Sequence, residues 1–496
     1  MDYSHKKVLV LGLGESGLSA AHWLTRCGAV LRVADTRSAP ERLPQLLTLS
    51  PDCEFISGEF SASLLDGIDF IVVSPGLSEL NELREIALLA NERAIPMWSE
   101  IEIFAQSLRH LRDTQQYQPK ILAITGTNGK TTVTSLVGLL VERAGKSVKI
   151  AGNISPAVLD VLRICIDENA LPEVWVLELS SFQLHSTYSL EADAATVLNV
   201  SQDHLDWHGN MESYAADKAR IFSAHTAQVL NRDDSLVMQM QNTTSELFTF
   251  GQSVPGALHE FGLSSEHDIS WLCVANPVED EVAPPKRRSK NQPLPEVEVY
   301  VSRLMPADAL KIRGKHNAIN ALAALALCRA IQLPLAPLLH GLRDYQGEPH
   351  RVELIATIRE VEYYDDSKGT NVGATVAALN GLADSRAKIV LIAGGVGKGQ
   401  DFTPLHDPVA KAVSTVCLIG EAADAIALVL DGAGVEVLRC DNLDQAVQMA
   451  ASHARPGDKV LLSPACASFD MFKNYAHRAQ VFIDAVKEVA HARGEL

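Results

Sequence analysis

The chain has 496 residues, 47% of them hydrophobic and 21% charged, and a formal net charge of −18. These proportions exclude a disordered or fibrous chain, and at roughly 150 residues per domain the length suggests about three domains. The acidic balance argues against general binding to nucleic acid or anionic membranes, which needs broad positive surface, but leaves room for small anions held by local charge. No stretch approaches the roughly 20 apolar residues of a membrane-spanning helix. The eight cysteines are scattered with no C-x-x-C pair. The apolar run 8–13 leads into glycines, as a buried strand does and the core of a secretory leader does not. Both features point to reduced thiols in a cytoplasmic protein.

The first segment reads as strand KKVLVLGLG, helix LSAAHWLTRCG and strand VLRVADT. GLGESG at 12–17 has the glycine spacing of a dinucleotide-binding turn, and Asp35 ends the next strand where a ribose-binding acid would sit. Alone, the motif says that something anionic or bulky approaches the turn, or that the turn is merely tight. A further strand, DFIVVSPG, ends in turn residues, and the polar stretch 110–119 reads as a linker.

A second strand–turn–helix begins at KILAITGTNGKTT. Gly126 and Gly129 allow close backbone approach to phosphates, Lys130 supplies a point charge, and Thr131 or Thr132 offers a hydroxyl for Mg²⁺. Ile124 stands where the common G-x-x-x-x-G-K-[ST] form has its first glycine. Downstream, Glu178 ends the strand VWVLE, where a carboxylate could hold Mg²⁺ directly or through water. SQDHLDWHG gathers Asp203, His204, Asp206 and His208, a set suited to metal or polar substrate and equally to a turn. YAADKARIF is helical, and its Lys218 reads on composition as a surface ion-pairing lysine. The segment 255–298 is rich in proline and carries the basic cluster KRRSK. It reads as a solvated loop, with a partner-binding patch as the alternative.

HNAINALAALALCRAIQL is a helix. The last third contains DDSKGTN with Asp366 and Lys368, the glycine-rich turn GGVGKG with Lys398, and the strands VCLIG and VLLSP. The alternation of strands and helices predicts an α/β chain with parallel sheets covered by helices, divided at about 1–113, 114–347 and 348–496.

Taken together, GTNGKTT, ELSSFQL, DHLDWHG, HN-x-x-N, PHR, DDSKGTN and SPACASFDMFKNY occur in the order found in the ATP-dependent Mur ligases, and the chain resembles that family over nearly its whole length. The main interruption is an insertion at about 255–297. The resemblance implies a Rossmann-like N-terminal domain that holds a uridine nucleotide and not NAD. It implies a central P-loop ATPase domain with a mostly parallel sheet and a Rossmann-like C-terminal domain. The implied reaction joins D-glutamate to UDP-N-acetylmuramoyl-L-alanine through an acyl phosphate, with ATP, Mg²⁺ and a second divalent ion, in a cytoplasmic monomer.

By position the resemblance implies uridine diphosphate contacts at Ser16, Asp35, Thr36, Arg37, Ser74, Pro75 and Gly76. Phosphate contacts fall at Gly126, Thr127, Asn128, Gly129, Lys130, Thr131 and Thr132. Magnesium falls at Thr131 and Glu178, and Lys218 aligns with a lysine carbamoylated in the family. Asn153, Gln183 and His204 fall at contacts to the muramoyl-alanine substrate or a metal, with His204 either a metal ligand or the base for the incoming amine. Asn317, Asn320, Arg351 and Asp366 match adenosine contacts, with His350 beside them. Lys368, Thr370, Lys398, Ser468 and Tyr475 match the glutamate pocket. Two departures stand out: Glu15 where the family is usually apolar, and Tyr475 where a relative has Phe. The rival readings are another amide ligase such as a folylpolyglutamate synthase, a nicotinamide-dependent dehydrogenase built on GLGESG, and a non-catalytic nucleotide sensor.

Overall fold

The structure is a computed structural model that describes residues 2–267, 269–278, 298–383 and 386–495. The first sheet is wholly parallel. Its strands are β1 (Lys7–Leu11), β2 (Val30–Asp35), β3 (Glu54–Ser57), β4 (Phe70–Val73) and β5 (Met97–Trp98), in the order β3-β2-β1-β4-β5. β1 is buried on both faces, which is why it reads as a continuous apolar run. Val8 and Val10 pack with Leu24 and Leu31 on one side, and Leu9 and Leu11 pack with Phe60 and Ile71 on the other. The stretch 110–119 is not all linker. Its first part continues the helix Glu100–Gln115, whose buried Ile101, Phe104 and Leu108 face the core while the polar residues face out.

The second sheet contains β6 (Lys120–Thr125), β7 (Val148–Gly152), β8 (Val174–Glu178), β9 (Ala194–Val197), β10 (Ala227–Asn231), β11 (Leu247–Phe250), β12 (Glu260–Glu266), β13 (Ile269–Pro277) and β14 (Val299–Pro306). Its order is β14-β13-β12-β11-β10-β9-β6-β8-β7, parallel from β7 through β12, with β13 antiparallel to β12. The loop expected over 255–298 is corrected by this pair. Glu260–Glu266 and Ile269–Pro277 extend the sheet, burying Phe261, Leu263, Leu272 and Val274. The cluster KRRSK lies outside the described residues.

The third sheet contains β15 (Glu353–Ile358), β16 (Val361–Asp365), β17 (Ile389–Gly394), β18 (Val413–Ile419), β19 (Glu436–Arg439) and β20 (Lys459–Leu462), in the order β15-β16-β20-β17-β18-β19. It is parallel except for the edge pair β15–β16. Every residue of β17 is buried, with Leu391 facing Leu379 and Val416, and Val390 and Ile392 facing Tyr363 and Phe482.

The described chain forms two compact units, one built on the first two sheets and the other on the third. All eight cysteines are free. Cys165, Cys273, Cys328, Cys417, Cys440 and Cys466 are buried, and Cys27 and Cys53 are partly exposed. Among the described residues no helix is long and apolar enough to cross a membrane.

Candidate active site

All seven residues expected to hold uridine diphosphate line one cavity of about 420 Å³ at the C-terminal ends of β1, β2 and β4, together with Gly12, Gly14, Glu15 and Leu77. Each glycine of GLGESG has a separate reason. Gly12 has φ +83° and lies against Ser74, whose Oγ donates to its carbonyl at 2.7 Å. A Cβ on Gly17 would come within 2.0 Å of the Gly12 carbonyl oxygen, so this glycine lets the helix Glu15–Arg26 pack against the turn. Gly14 heads that helix, and a Cβ there would meet nothing within 4 Å, which leaves the open side to a ligand.

Asp35 is 2% exposed and braces this cradle. Its carboxylate accepts from the Leu13 N–H at 2.7 Å, the Arg37 N–H at 2.9 Å and the Arg37 guanidinium at 2.8 Å. Burial pushes its carboxyl up, but the bonds from Arg37 and Leu13 outweigh that and hold it at about 2. Glu15, on the wall of the same cavity, accepts from Ser155 Oγ at 2.6 Å.

The phosphate loop follows β6. Gly126 (φ +150°) and Gly129 (φ +86°) take conformations that favour glycine, and Gly129 heads the helix Lys130–Arg143 without a side-chain cap. The first-turn N–H groups, the helix dipole and the buried Thr131 and Thr132 together suit an anion with a hard cation beside it. Lys130 Nζ curls over the loop, donating to the carbonyls of Gly126 at 2.9 Å and Thr127 at 2.8 Å. Sequence reading missed the brace of this loop, Asn199. Its side chain accepts from the Asn128 N–H at 2.8 Å and donates to the Asn128 carbonyl at 3.0 Å, and its backbone carbonyl accepts from Thr127. A lone Asn just past a strand carries no sequence signal for that role.

Glu178 is 3% exposed at the end of β8. Its Oε1 accepts from Asn153 Nδ2 at 2.9 Å, while its buried Oε2 has no hydrogen-bond partner. A buried carboxylate oxygen left in this way fits a metal ligand. Gly152 permits the approach of Asn153, since a Cβ there would meet the Glu178 carbonyl at 2.2 Å. Gln183 is buried, and its Oε1 serves the capping box of the helix Ser181–His185. His204 heads the helix Leu205–His208 at φ +55°, its ring 4.8 Å from that of Phe182.

Lys218 departs from the ordinary surface reading. It is 1% exposed, donates to the Gly126 carbonyl at 3.0 Å and lies 4.3 Å above the Tyr214 ring. The buried side of a short helix is decided by tertiary packing, which composition does not report.

In the second unit, Asn317 is buried and donates to the Arg313 carbonyl at 2.8 Å, and Asn320 donates to Asn317 Oδ1 at 3.2 Å. Asp366 is 6% exposed and accepts from Ser463 Oγ at 2.7 Å. Burial pushes its carboxyl up to about 7, against the pull of Ser463 and Arg351. His350 Nδ1 lies 2.7 Å from Asp365. Lys368 Nζ sits 5.5 Å over the Tyr475 ring, Ser468 is buried, and Lys398 is exposed at φ +49°. The loops bearing Lys368 and Ser468 are joined by a residue that sequence reading passed over. The fully buried Arg478 donates to the carbonyls of Ser367 at 2.8 Å and Cys466 at 3.2 Å.

Three family profiles match the chain: "Mur ligase MurD-like, N-terminal domain" over residues 6–93, "Mur ligase middle domain" over 124–328 and "Mur ligase, glutamate ligase domain" over 350–466. A relative from Ralstonia nicotianae is 57% identical over 497 residues, 99% of each chain. One from Cupriavidus pinatubonensis is 58% identical over 494 residues, 98% of each. Both are named UDP-N-acetylmuramoylalanine--D-glutamate ligase. Among solved structures, the fold matches UDP-N-acetylmuramate-alanine ligase MurC from Thermotoga maritima with TM-score 0.55 at 19% identity, over 98% of this chain and 100% of that one. It matches MurF from Acinetobacter baumannii with TM-score 0.56 at 15% identity, over 97% and 91%.

Proposed function

The chain belongs to the Mur ligase family, and on that premise we propose how its residues ligate D-glutamate to UDP-N-acetylmuramoyl-L-alanine with ATP in peptidoglycan precursor synthesis. The observation that carries the chemical reading is the meeting, within one unit, of the phosphate loop 126–132 with the buried Glu178 and Lys218. A carboxylate is a poor acyl donor because oxide is a very poor leaving group. Its oxygen attacks the γ-phosphorus of ATP, ADP departs, and an acyl phosphate results. The glutamate amine then attacks the carbonyl carbon, and the tetrahedral intermediate expels phosphate as a proton is lost from nitrogen.

Lys130 and the N–H groups of the loop offset the repulsion between a carboxylate and a polyanionic triphosphate. Thr131, Glu178, His204 and a carbamoylated Lys218 are the residues proposed to hold divalent metal. Bound Mg²⁺ would supply charge neutralisation at the transferring phosphoryl group. The orphaned Glu178 Oε2 supports this. For Lys218, the ammonium first loses one proton to solvent, and the neutral amine then adds to the carbon of CO₂ and gives up a second, so that a buried cation becomes an anion. Its burial supports the reading, since desolvation favours the neutral amine that the addition needs. His204 either ligates metal or takes the amine proton.

The cavity of about 420 Å³ is proposed for the uridine diphosphate part, through Ser16, Thr36, Arg37, Ser74, Pro75 and Gly76, with Asp35 bracing Arg37. Asn153 and Gln183 are proposed for the muramoyl-alanine part. Asn317, Asn320, Arg351 and Asp366 are proposed for adenosine, and Lys368, Thr370, Lys398, Ser468 and Tyr475 for glutamate. Domain limits near 1–113, 114–347 and 348–496, a monomeric state, a cytoplasmic location and a second divalent ion complete the proposal.

Phosphate release from ATP with UDP-N-acetylmuramoyl-L-alanine, compared between D- and L-glutamate, tests the reaction. Release is expected with the D isomer alone, and equal release with the L isomer overturns the assignment. Lys218→Ala is expected to lose turnover and to recover part of it with a short added carboxylic acid. Parent-like turnover without the acid would remove the carbamate.

A further inference from the structure

His208 is buried, with its side chain 1% exposed, and both ring nitrogens are engaged. Nε2 lies 2.9 Å from Ser181 Oγ, and Nδ1 lies 3.0 Å from Asp217 Oδ2. The carboxylate of Asp217 therefore accepts from Nδ1–H, while Nε2 shares a hydrogen bond with the serine hydroxyl. The array continues outward. His185 Nδ1 lies 3.0 Å from Asp217, and its Nε2 lies 3.3 Å from Glu79 Oε1.

Serine, histidine and aspartate in this order resemble an acyl-transfer triad. Ser181 is only 2% exposed, however, so its hydroxyl is not presented to a substrate. The connections are instead mechanical. Ser181 lies just past Glu178 on the segment leaving β8, His208 ends the helix that His204 heads, and Asp217 immediately precedes Lys218. One imidazole thus ties together the three chain segments that carry Glu178, His204 and Lys218.

Neighbouring residues on a helix point about 100° apart, so fixing Asp217 on one side of the helix Met211–Ala219 sets the direction of Lys218. Lys218 Nζ accordingly reaches the Gly126 carbonyl at 3.0 Å. The His208 ring also stacks on Phe182, with centroids 5.5 Å apart and planes 15° from parallel, so it cannot turn without leaving that stack.

We propose that His208 is a positioning residue for the ligation: through Ser181 and Asp217 it locks the segments bearing Glu178, His204 and Lys218 in one arrangement facing the phosphate loop. The proposal rests on the assignment of Lys218 and Glu178 given above.

The test compares the parent, His208→Phe, which keeps a stacking ring but removes both hydrogen bonds, and His208→Gln, which keeps a polar side chain. Lys218→Ala is the control. Carbamate on Lys218 is read by ¹³C NMR in nucleotide-free protein supplied with ¹³C-bicarbonate. Mn²⁺ affinity is read with a non-hydrolysable ATP analogue, and kcat and KM by phosphate release.

In both His208 variants, carbamate occupancy and Mn²⁺ affinity are expected to fall about tenfold or more, with kcat falling while KM for D-glutamate holds. Parent-level carbamate and Mn²⁺ binding in a folded His208→Phe protein overturns the proposal. If that variant does not fold, the same comparison on His208→Gln decides. A parent without a carbamate signal, or Lys218→Ala retaining it, overturns the Lys218 assignment and the proposal with it.

Discussion

The turn after β1 and the turn after β6 share a plan: a buried parallel strand, glycines in constrained conformations, and a helix headed by an uncapped glycine. They differ in what surrounds that plan. The first opens on a cavity of about 420 Å³, has Glu15 in its helix's first turn, and is lined by the cation Arg37, already tied to Asp35. The second has Lys130 in its first turn, hydroxyls at Thr131 and Thr132, Asn199 clamping the loop, and Lys218 against its carbonyl. Glycine spacing therefore reports only that backbone comes close to something. The side chains around it distinguish a wide recess, proposed for the nucleotide-sugar, from a tight cationic loop, proposed for the phosphates of ATP.

Lys130→Ala should break the comparison most visibly. A loss of about 10²–10³ in kcat is expected, with little change in UDP-substrate affinity measured calorimetrically. Equal losses in both would mean that the two turns do not act separately.

Gly17→Ala should be next, costing about 1–3 kcal/mol in chemical denaturation because its Cβ would strike a carbonyl oxygen. Gly14→Ala should cost less stability and instead raise KM for the UDP substrate. Matching stability losses would remove the distinction between a packing glycine and a ligand-facing one.

The smallest effect concerns Asp35, whose carboxyl is held at about 2 by Arg37 and Leu13 against the opposing effect of burial. A carboxyl lowered on folding contributes stability that is complete above its ordinary value near 4 and is lost as pH falls through about 2. Roughly 1–2 kcal/mol should disappear across that window, a figure discounted because Arg37 is largely exposed. Asp35→Asn should lack this acid-side loss, and superimposable stability curves would overturn the bracing role.

The glycine turn and Asp35 were legible in sequence, and the other residues that the resemblance implies for uridine diphosphate fall around the same cavity because they sit on strand ends and turns, where order along the chain and position in space nearly coincide. The phosphate loop was legible for the same reason. Lys218 was not, because helix composition does not reveal which side is buried. The β12–β13 pair was hidden by its proline-rich surroundings, although SWLCVA is an apolar run of strand length. The helix past residue 110 was missed because polar residues on its outer face resemble a linker. Asn199, Arg478 and the Ser181–His208–Asp217 array act across segments distant in sequence, and no local pattern announces such contacts. The three-domain Mur ligase fold itself followed from strand–helix alternation and motif order.

The distribution of thiols offers a built-in gauge of local opening. None of the six buried cysteines belongs to the first sheet's region; Cys165, Cys273 and Cys328 lie in the central part and Cys417, Cys440 and Cys466 in the last. Burial also pushes Cys466 and Cys417 up to about 12, so little reactive thiolate exists while they are enclosed. Alkylation in mild denaturant, followed by peptide mapping, would therefore time the exposure of the central and last sheets independently.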